Sequence, residues 1–171
     1  PPRSTLFPYT TLFRSIAISL AKNLSEAVVS AIDVSEEALS VAKQNAQTNG
    51  VTVDFIKADI ISVTSLPKKY DIIVSNPPYV RNLEKQEIKE NVLNYEPHLA
   101  LFVEDNDALL FYRKIALLGQ DALNEGGCLF FEINQYLGEE TVAMLENYGY
   151  KNIELRKDLF GNDRMIRAVK A

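Results

Sequence analysis

One segment of the sequence, an apolar run that leads directly into two prolines, restricts the fold more than any other. Tyr70–Ser75 is almost continuously apolar, which indicates a buried parallel strand, and Asn76-Pro77-Pro78-Tyr79 follows it. Each proline fixes its backbone φ and has no N–H, so the strand must stop there and the loop beyond it is stiff. Ligands of open α/β sheets bind just beyond the carboxyl ends of such strands. We therefore predict an α/β fold with a binding loop at this point.

From residue 16 onward, helix-like and strand-like segments alternate. The predicted strands are 27–32, 51–57, 70–75, 128–133, 151–158 and 164–170, and the predicted helices are 16–23, 35–48, 107–124 and 137–147. Asn49-Gly50 is predicted to end the second helix and Gly126-Gly127 the third. Such alternation is typical of a mostly parallel, twisted sheet with helices on both faces. The last two strands flank a Gly161-Asn162-Asp163 turn and add a C-terminal antiparallel hairpin. Residues 82–97 are polar, and we predict a loop with one short helix there.

The first fifteen residues do not continue this alternation. Thr5-Leu6-Phe7 recurs as Thr11-Leu12-Phe13, and the stretch resembles the translation of a sequencing-adapter remnant. We interpret residues 1–15 as a non-native or unstructured arm and residues 16–171 as one domain. A nucleotide-binding α/β domain has its first strand and a glycine-rich turn before its first helix, whereas the first glycine here is Gly50. The sequence therefore predicts that the first strand and its glycine-rich loop are missing or replaced.

Acidic side chains follow two more of the predicted strands. Asp33 ends strand 27–32, where a carboxylate can accept both ribose hydroxyls of an adenosyl group. The alternative is that Asp33 caps the next helix, with Glu36 completing a capping box. Asp59 could accept the exocyclic amine of adenine, with Ile60 against the ring, or could be an exposed turn residue. We predict that Asp33, Asp59 and Ile60 bind a cofactor.

The loop after strand 70–75 has the composition of a clamp for a planar –NH2 group. The side-chain oxygen of Asn76 and the backbone carbonyl beside it can accept both hydrogens of that group, and Tyr79 can lie against the face of an amide or a nucleobase. A rigid turn is the structural alternative. Such a clamp would direct a weak nitrogen nucleophile at an electrophile. The sequence therefore predicts catalytic roles for Asn76, Pro77 and Tyr79, and substrate contacts from these three and Pro78.

The bulk properties exclude several classes of function. The net charge of −5 and the pI of about 5.0 argue against strong binding to the backbone of a nucleic acid. One cysteine and one histidine leave no zinc constellation, and we predict no metal. No apolar stretch approaches the ~20 residues of a membrane-spanning helix, and no signal-peptide pattern is present. We expect a cytoplasmic monomer with no membrane contact.

Four segments together carry a resemblance to a known family. They are Asp71–Tyr79, Tyr95–Leu101 with the sequence Tyr-Glu-Pro-His-Leu-Ala-Leu, residues 107–113, and Gly161-Asn162-Asp163-Arg164. On these segments, residues 16–171 resemble the peptide chain release factor glutamine N5-methyltransferase family, a group of Rossmann-like class I methyltransferases that depend on S-adenosylmethionine. The Asn-Pro-Pro-Tyr tetrad alone also resembles adenine-N6 DNA and rRNA-guanine methyltransferases.

The resemblance implies roles for particular residues. Asp33, Asp59, Ile60 and Asn76 would contact S-adenosylmethionine, and Asn76–Tyr79 would hold the glutamine amide of the Gly-Gly-Gln loop of a release factor. The family's glycine-rich loop and its N-terminal helical domain have no counterpart in the sequence. Two alternatives therefore stay open: a nucleic-acid methyltransferase that uses the same clamp, and an inactive fragment without its cofactor loop.

Overall fold

The computed structural model describes residues 11–78, 80–81, 102–103 and 107–171, and it divides into two compact units. Among the described residues, the first unit comprises residues 11–62 and the second those from residue 63 onward. The helices are α1 (Thr11–Asn23), α2 (Glu36–Thr48), α3 (Leu110–Ala122) and α4 (Gly138–Asn147). The strands are β1 (Ser30–Asp33), β2 (Asp54–Lys57), β3 (Tyr70–Ser75), β4 (Val80–Arg81), β5 (Phe102–Val103), β6 (Leu123–Glu132), β7 (Lys151–Lys157) and β8 (Asp163–Val169).

In the first unit, α2 packs beside a parallel pair of strands. β1 and β2 are hydrogen-bonded in register from Ser30 opposite Asp54 to Asp33 opposite Lys57. The buried side chains of α2 recur at helical spacing and form its apolar stripe: Ala38, Leu39, Ala42 and Ala46. The helix ends at Asn49-Gly50, as predicted, because Gly50 adopts the left-handed φ of +66° that side chains disfavour.

Helix α1 begins earlier than the sequence suggested. We predicted a start near Ile16, but the helix runs from Thr11, so residues 11–15 are helical rather than unstructured. The physical reason is that Pro8 is the nearest helix-breaking residue on that side, so nothing between it and Ile16 stops the helix. The predicted boundary at residue 15 is therefore not a boundary of secondary structure. The non-native origin of residues 1–15 stays a prediction.

The second unit contains a mixed four-stranded sheet in the order β3-β6-β8-β7. β3 and β6 are parallel, whereas β8 is antiparallel to both of its neighbours, β6 and β7. The predicted C-terminal hairpin is confirmed. Because β7 runs in the same direction as β3 and β6, the carboxyl ends of these three strands lie at one edge of the sheet. β4 and β5 form a separate short parallel pair.

Gly126-Gly127 lies inside β6, and our prediction that it ends the preceding helix is wrong. The helix already ends at Ala122. Gly126 has a φ of +74°, and a Cβ on Gly127 would lie 2.8 Å from the carbonyl oxygen of Asn124 and 3.1 Å from that of Asp71. The pair therefore forms an irregular part of the strand where two backbones approach closely, and the register with β3 shifts there.

Helices α3 and α4 contact each other and pack on one face of this sheet. The rings of Tyr112 on α3 and Phe131 on β6 meet edge to face, with their centroids 5.2 Å apart. The side chains that alternate to the other face are less covered: Ile72 is 54% exposed and Val74 36% exposed. Our prediction that strand 70–75 is buried is therefore wrong for these two residues. The reason is that β3 is the end strand of its sheet and both helices lie on the opposite face.

In the part of the chain that the structure describes, no helix combines the length and the apolar character needed to cross a bilayer. The same residues contain no group of three or more histidine, cysteine, aspartate or glutamate side chains arranged to hold a metal ion. The predicted polar loop at residues 82–97 lies outside the described residues.

Candidate functional site

Asp33 is the last residue of β1 and is half-buried. Its Oδ1 accepts a hydrogen bond from the backbone N–H of Ser35 at 2.8 Å, which orients the carboxylate beyond the strand end. The alternative that Asp33 caps α2 is wrong, because Ser35 is the N-cap and its Oγ accepts from the N–H of Ala38 at 3.1 Å. Glu36 pairs with Lys57 at 2.5 Å, and the hydrogen bond from Lys57 lowers the pKa of Glu36. Asp33 is thus oriented without serving as a cap.

Asp59 and Ile60 follow β2 at the same edge of the first unit. The backbone N–H of Ala58 donates to the carbonyl oxygen of Asp33 at 3.1 Å, so the segments that leave the two parallel strands begin side by side. Asp59 is exposed, and its Oδ1 accepts from the N–H of Ile61 at 2.9 Å, which is a turn-stabilising contact. The structure thus confirms the turn role. The cofactor role of Asp33, Asp59 and Ile60 stays a prediction, supported by their common edge.

Asn76 follows β3 in the second unit, where the sequence placed it. Its side chain is half-buried, and none of the hydrogen bonds among the described residues involves its carboxamide. Pro77 is buried and Pro78 half-buried, so the loop is anchored immediately after Asn76. Tyr79 and segment 95–101, with His98, lie outside the described residues. The described geometry therefore supplies a carboxamide at a strand end with its hydrogen-bonding capacity open, as a clamp for an –NH2 group requires.

A second polar cluster, which was not predicted, lies at the carboxyl edge of this sheet. Asp158 Oδ2 pairs with Arg164, whose Nε lies 3.4 Å away. Arg164 also donates from Nη1 to the carbonyl oxygen of Ile133, just after β6, at 3.3 Å. The backbone N–H of Asn162 lowers the pKa of Asp158 below its usual value. The Gly-Asn-Asp-Arg motif was the sequence signal for this cluster, but the residues that it contacts can be identified only from the folded hairpin.

The two groups of residues have different chemical capacities. The carboxylates of Asp33 and Asp59 are acceptors, and acceptors at the carboxyl ends of parallel strands suit the hydroxyl and amine hydrogens of a nucleoside. The Asn76 loop offers acceptors on a stiff backbone, because its prolines have no N–H to donate. Neither group contains a side chain with the geometry of an activated nucleophile and base. The arrangement is suited to binding and orienting rather than to covalent catalysis.

Comparison with known proteins places these residues in a wider context. A family profile described as the Methyltransferase small domain matches residues 14–99. Over 152 residues the chain is 63% identical to the release factor glutamine methyltransferase of Flavobacterium psychrophilum, covering 89% of this chain and 53% of that protein. It is 50% identical over 154 residues to the protein of the same name from Bacteroides thetaiotaomicron, covering 90% of this chain and 55% of the relative. The chain thus spans about half the length of the curated relatives it matches.

A solved structure agrees on the fold. The crystal structure of a methyltransferase from Pyrococcus furiosus superposes with a TM-score of 0.65 at 20% sequence identity, covering 90% of this chain and 68% of that one. At that level of identity, the likeness concerns the fold. It confirms the predicted α/β, Rossmann-like class I architecture, in which the described strands are mixed and the C-terminal hairpin is antiparallel.

Proposed function

Because the chain belongs to the Methyltransferase small domain family, we propose that it carries the catalytic domain of an S-adenosylmethionine-dependent protein-glutamine methyltransferase. Its substrate is the side-chain amide of the glutamine in the Gly-Gly-Gln loop of peptide chain release factors. The names of its two similar relatives support this substrate. The observation that carries the proposal is the position of Asn76, with its open carboxamide, at the end of β3 and directly before buried Pro77.

The residues present fit the adenosyl half of S-adenosylmethionine. Asp33 and Asp59 supply acceptors at one edge of the first unit, and Ile60 supplies an apolar surface for a ring. For the amino-acid half the fit is poor, because residues 11–49 contain no glycine and so offer no point of close backbone approach. When bound, the cofactor supplies an electrophilic methyl group.

The Asn76 loop would act by orienting the amide. A carboxamide nitrogen is a weak nucleophile because its lone pair is delocalised into the carbonyl group. Hydrogen bonds from its two hydrogens to Asn76 Oδ1 and the Pro77 carbonyl would hold the nitrogen in one direction and increase its electron density. Correct orientation of two reactants contributes at most ~7–11 kcal/mol to lowering a barrier. No general base is required, because the methylated nitrogen becomes strongly acidic and its proton can leave to water or a carbonyl oxygen.

The same clamp could hold an adenine or a guanine amine, so charge decides between the substrates. At a net charge of −5, the chain has little electrostatic attraction for a polyanion. A slim, neutral, glycine-rich protein loop carries no such electrostatic cost. We therefore propose no stable binding of nucleic acid, and we place the reaction in the cytoplasm, where release factors act, with the chain as a monomer.

The test is methyl transfer by a restored chain, in which residues 1–15 are replaced by the segment that precedes the aligned region in the Flavobacterium psychrophilum relative. Tritiated cofactor is offered with intact release factor, with its Gln→Ala variant, and with DNA and RNA in parallel. Label on the intact factor alone is expected. Label on nucleic acid, or label that survives the Gln→Ala change, contradicts the proposal. The original chain serves as the control for an inactive fragment.

A further inference from the structure

The β7–β8 hairpin ends in two fully exposed apolar side chains. Leu159 is 102% exposed and Phe160 89% exposed, although most large apolar residues of this unit are covered. Single apolar side chains on a surface are ordinary, but two large adjacent ones at the end of a hairpin form a continuous apolar patch of the kind found at binding sites. We name Leu159-Phe160 the hairpin tip.

The tip is held in one conformation by its own backbone and by Asp158. Asp158 Oδ1 accepts from the backbone N–H of Phe160 at 2.9 Å and from that of Asn162 at 3.0 Å. The N–H of Asp158 donates to the carbonyl of Asn162 at 2.8 Å, which closes the loop. Gly161 supplies the left-handed φ of +86° that a three-residue hairpin loop needs. A loop fixed in this way loses little conformational entropy when it binds a partner.

The base of the loop is hydrogen-bonded to the chain just beyond the end of β6. Arg164 pairs with Asp158 and donates to the Ile133 carbonyl, and the N–H of Ile133 donates to the Arg164 carbonyl at 2.9 Å. Lys157 and Asp163 form a further ion pair at 2.7 Å across the hairpin. The charges beside the tip are thus paired with each other. The tip offers apolar surface and no unpaired cation for a phosphate, which favours a protein partner over a nucleic acid.

The position of the tip relates it to Asn76. The carboxyl ends of β3, β6 and β7 share one edge of the sheet, so the tip lies at the same edge as the Asn76 loop. Three interstrand spacings separate β7 from β3, which is about 14 Å. A folded protein that presents one loop to Asn76 is wide enough to reach the tip with its neighbouring surface. An extended Gly-Gly-Gln tripeptide, at about 10 Å, is not.

We propose that the hairpin tip, Leu159-Phe160, is a docking contact for the folded protein substrate. It packs against an apolar surface of that protein, beside the loop that accepts the methyl group. The proposal rests on the proposed function, because it takes the release factor as the partner. The tip contributes to the affinity for the whole factor and takes no part in orienting the amide.

The test compares binding of purified release factor to the 171-residue chain and to its Leu159→Ser and Phe160→Ser variants by biolayer interferometry. We expect each substitution to raise the Kd at least tenfold, while Phe160→Trp retains the affinity within about threefold. Leu117→Ser is the matched control, because Leu117 is 48% exposed on α3 and should leave the Kd unchanged. Equal Kd values for all variants, or a parent chain that does not bind the factor, overturn the proposal.

A second measurement separates this inference from the proposed function. The same substitutions are placed in the restored chain, and methyl transfer is measured with a short Gly-Gly-Gln peptide and with intact factor. We expect unchanged turnover of the peptide and a raised KM for the factor alone. Loss of peptide turnover in the tip variants would show a structural role and would overturn the docking contact. Absence of label on the glutamine with every variant, the restored chain included, refutes the proposed function itself.

Discussion

The backbone N–H of Ala58 donates to the carbonyl oxygen of Asp33 at 3.1 Å, and this one bond continues the β1–β2 pairing past the end of both strands. As a result, the carboxylates of Asp33 and Asp59 leave the sheet from neighbouring positions. Each carboxylate accepts one local hydrogen bond at its Oδ1: Asp33 from the backbone N–H of Ser35, and Asp59 from the backbone N–H of Ile61. The first unit therefore presents two oriented acidic groups at one edge.

Replacement of Asp33 by Asn should weaken cofactor binding without loosening the fold. An asparagine keeps an oxygen acceptor for the N–H of Ser35, so the free energy of unfolding should change little. A hydrogen bond to a charged group contributes about 1.5–3 kcal/mol, which predicts a loss of about tenfold or more in affinity for S-adenosylhomocysteine. Calorimetry on the restored chain measures this, with Glu37→Gln in the first turn of α2 as control. Unchanged affinity would remove Asp33 from the site.

The chain with its own residues 1–15 should bind S-adenosylmethionine poorly. The loss of two or three charge-assisted contacts from a glycine-rich loop, at about 1.5–3 kcal/mol each, corresponds to a few orders of magnitude in Kd. Calorimetry on the original and restored chains compares them directly. Micromolar binding by the original chain would contradict the prediction, and it would make residues 1–15 a functional element.

Asn76→Ala and Tyr79→Ala should affect the restored chain differently. Asn76 is expected to touch both cofactor and amide, so its loss should lower kcat steeply. Tyr79 is expected to contact the amide plane alone, so its loss should act on substrate binding and leave cofactor affinity nearly intact. Steady-state kinetics with release factor and calorimetry with cofactor measure the two effects. An equal loss of cofactor affinity in both variants would show that the roles are assigned wrongly.

Gly119→Ala should destabilise the second unit although it improves helix propensity. Gly119 lies within α3, where alanine is normally favoured by about 1 kcal/mol. Here a Cβ would collide with the hydroxyl of Tyr150, which donates to the Ala116 carbonyl at 2.9 Å. Overpacking of this kind costs about 1–3 kcal/mol, measurable by urea unfolding. Adding Tyr150→Phe should recover part of the loss, because it makes room for the methyl group; a strictly additive double variant would argue against the collision.

The charge of Asp158 should stabilise the fold at neutral pH and lose this effect in acid. The hydrogen bond from the N–H of Asn162 lowers the pKa of Asp158 in the folded chain. The unfolded chain then takes up the proton first, so the contribution is complete above the unfolded pKa of about 3.9 and disappears as the pH falls through the folded pKa. Asp158→Asn keeps an acceptor for the two backbone N–H groups.

Urea unfolding at pH 7, 5 and 3 checks this linkage. The difference in stability between the parent and Asp158→Asn should be largest at pH 7 and should shrink towards pH 3. A difference that stays constant over the series would assign the effect to hydrogen-bond geometry rather than to charge.

Local signals allowed parts of the fold to be predicted within a residue or two. The helical spacing of apolar residues and the Asn49-Gly50 stop gave the bounds of α2, and the apolar run before two prolines gave those of β3. Gly126-Gly127 was misread as a helix stop because its glycines meet other needs: Gly126 has a φ of +74°, and a Cβ on Gly127 would crowd the carbonyl oxygens of Asn124 and, on another strand, Asp71. Such a close approach between strands cannot be inferred from the sequence until the strand pairing is known.

The candidate site shows the same division. Asp33, Asp59 and Asn76 could be proposed because each follows a predicted strand, and strand ends can be inferred from hydrophobic patterns. The contact between Asp158 and Arg164, and the fastening of Arg164 to Ile133, could not be predicted, because they join residues that meet only when β7, β8 and β6 are assembled. The exposure of Ile72 was missed for a related reason: the period of a strand does not state which face a helix will cover.

The strand order β3-β6-β8-β7 has a consequence for synthesis on the ribosome. β7 touches the sheet only through β8, which follows it in the chain. A nascent chain that has emerged as far as β7 therefore holds a strand that packs on α4 but has no neighbouring strand to pair with. The arrival of β8 supplies two strand interfaces at once, with β6 and with β7. Completion of this sheet is thus a single event that waits for the synthesis of β8.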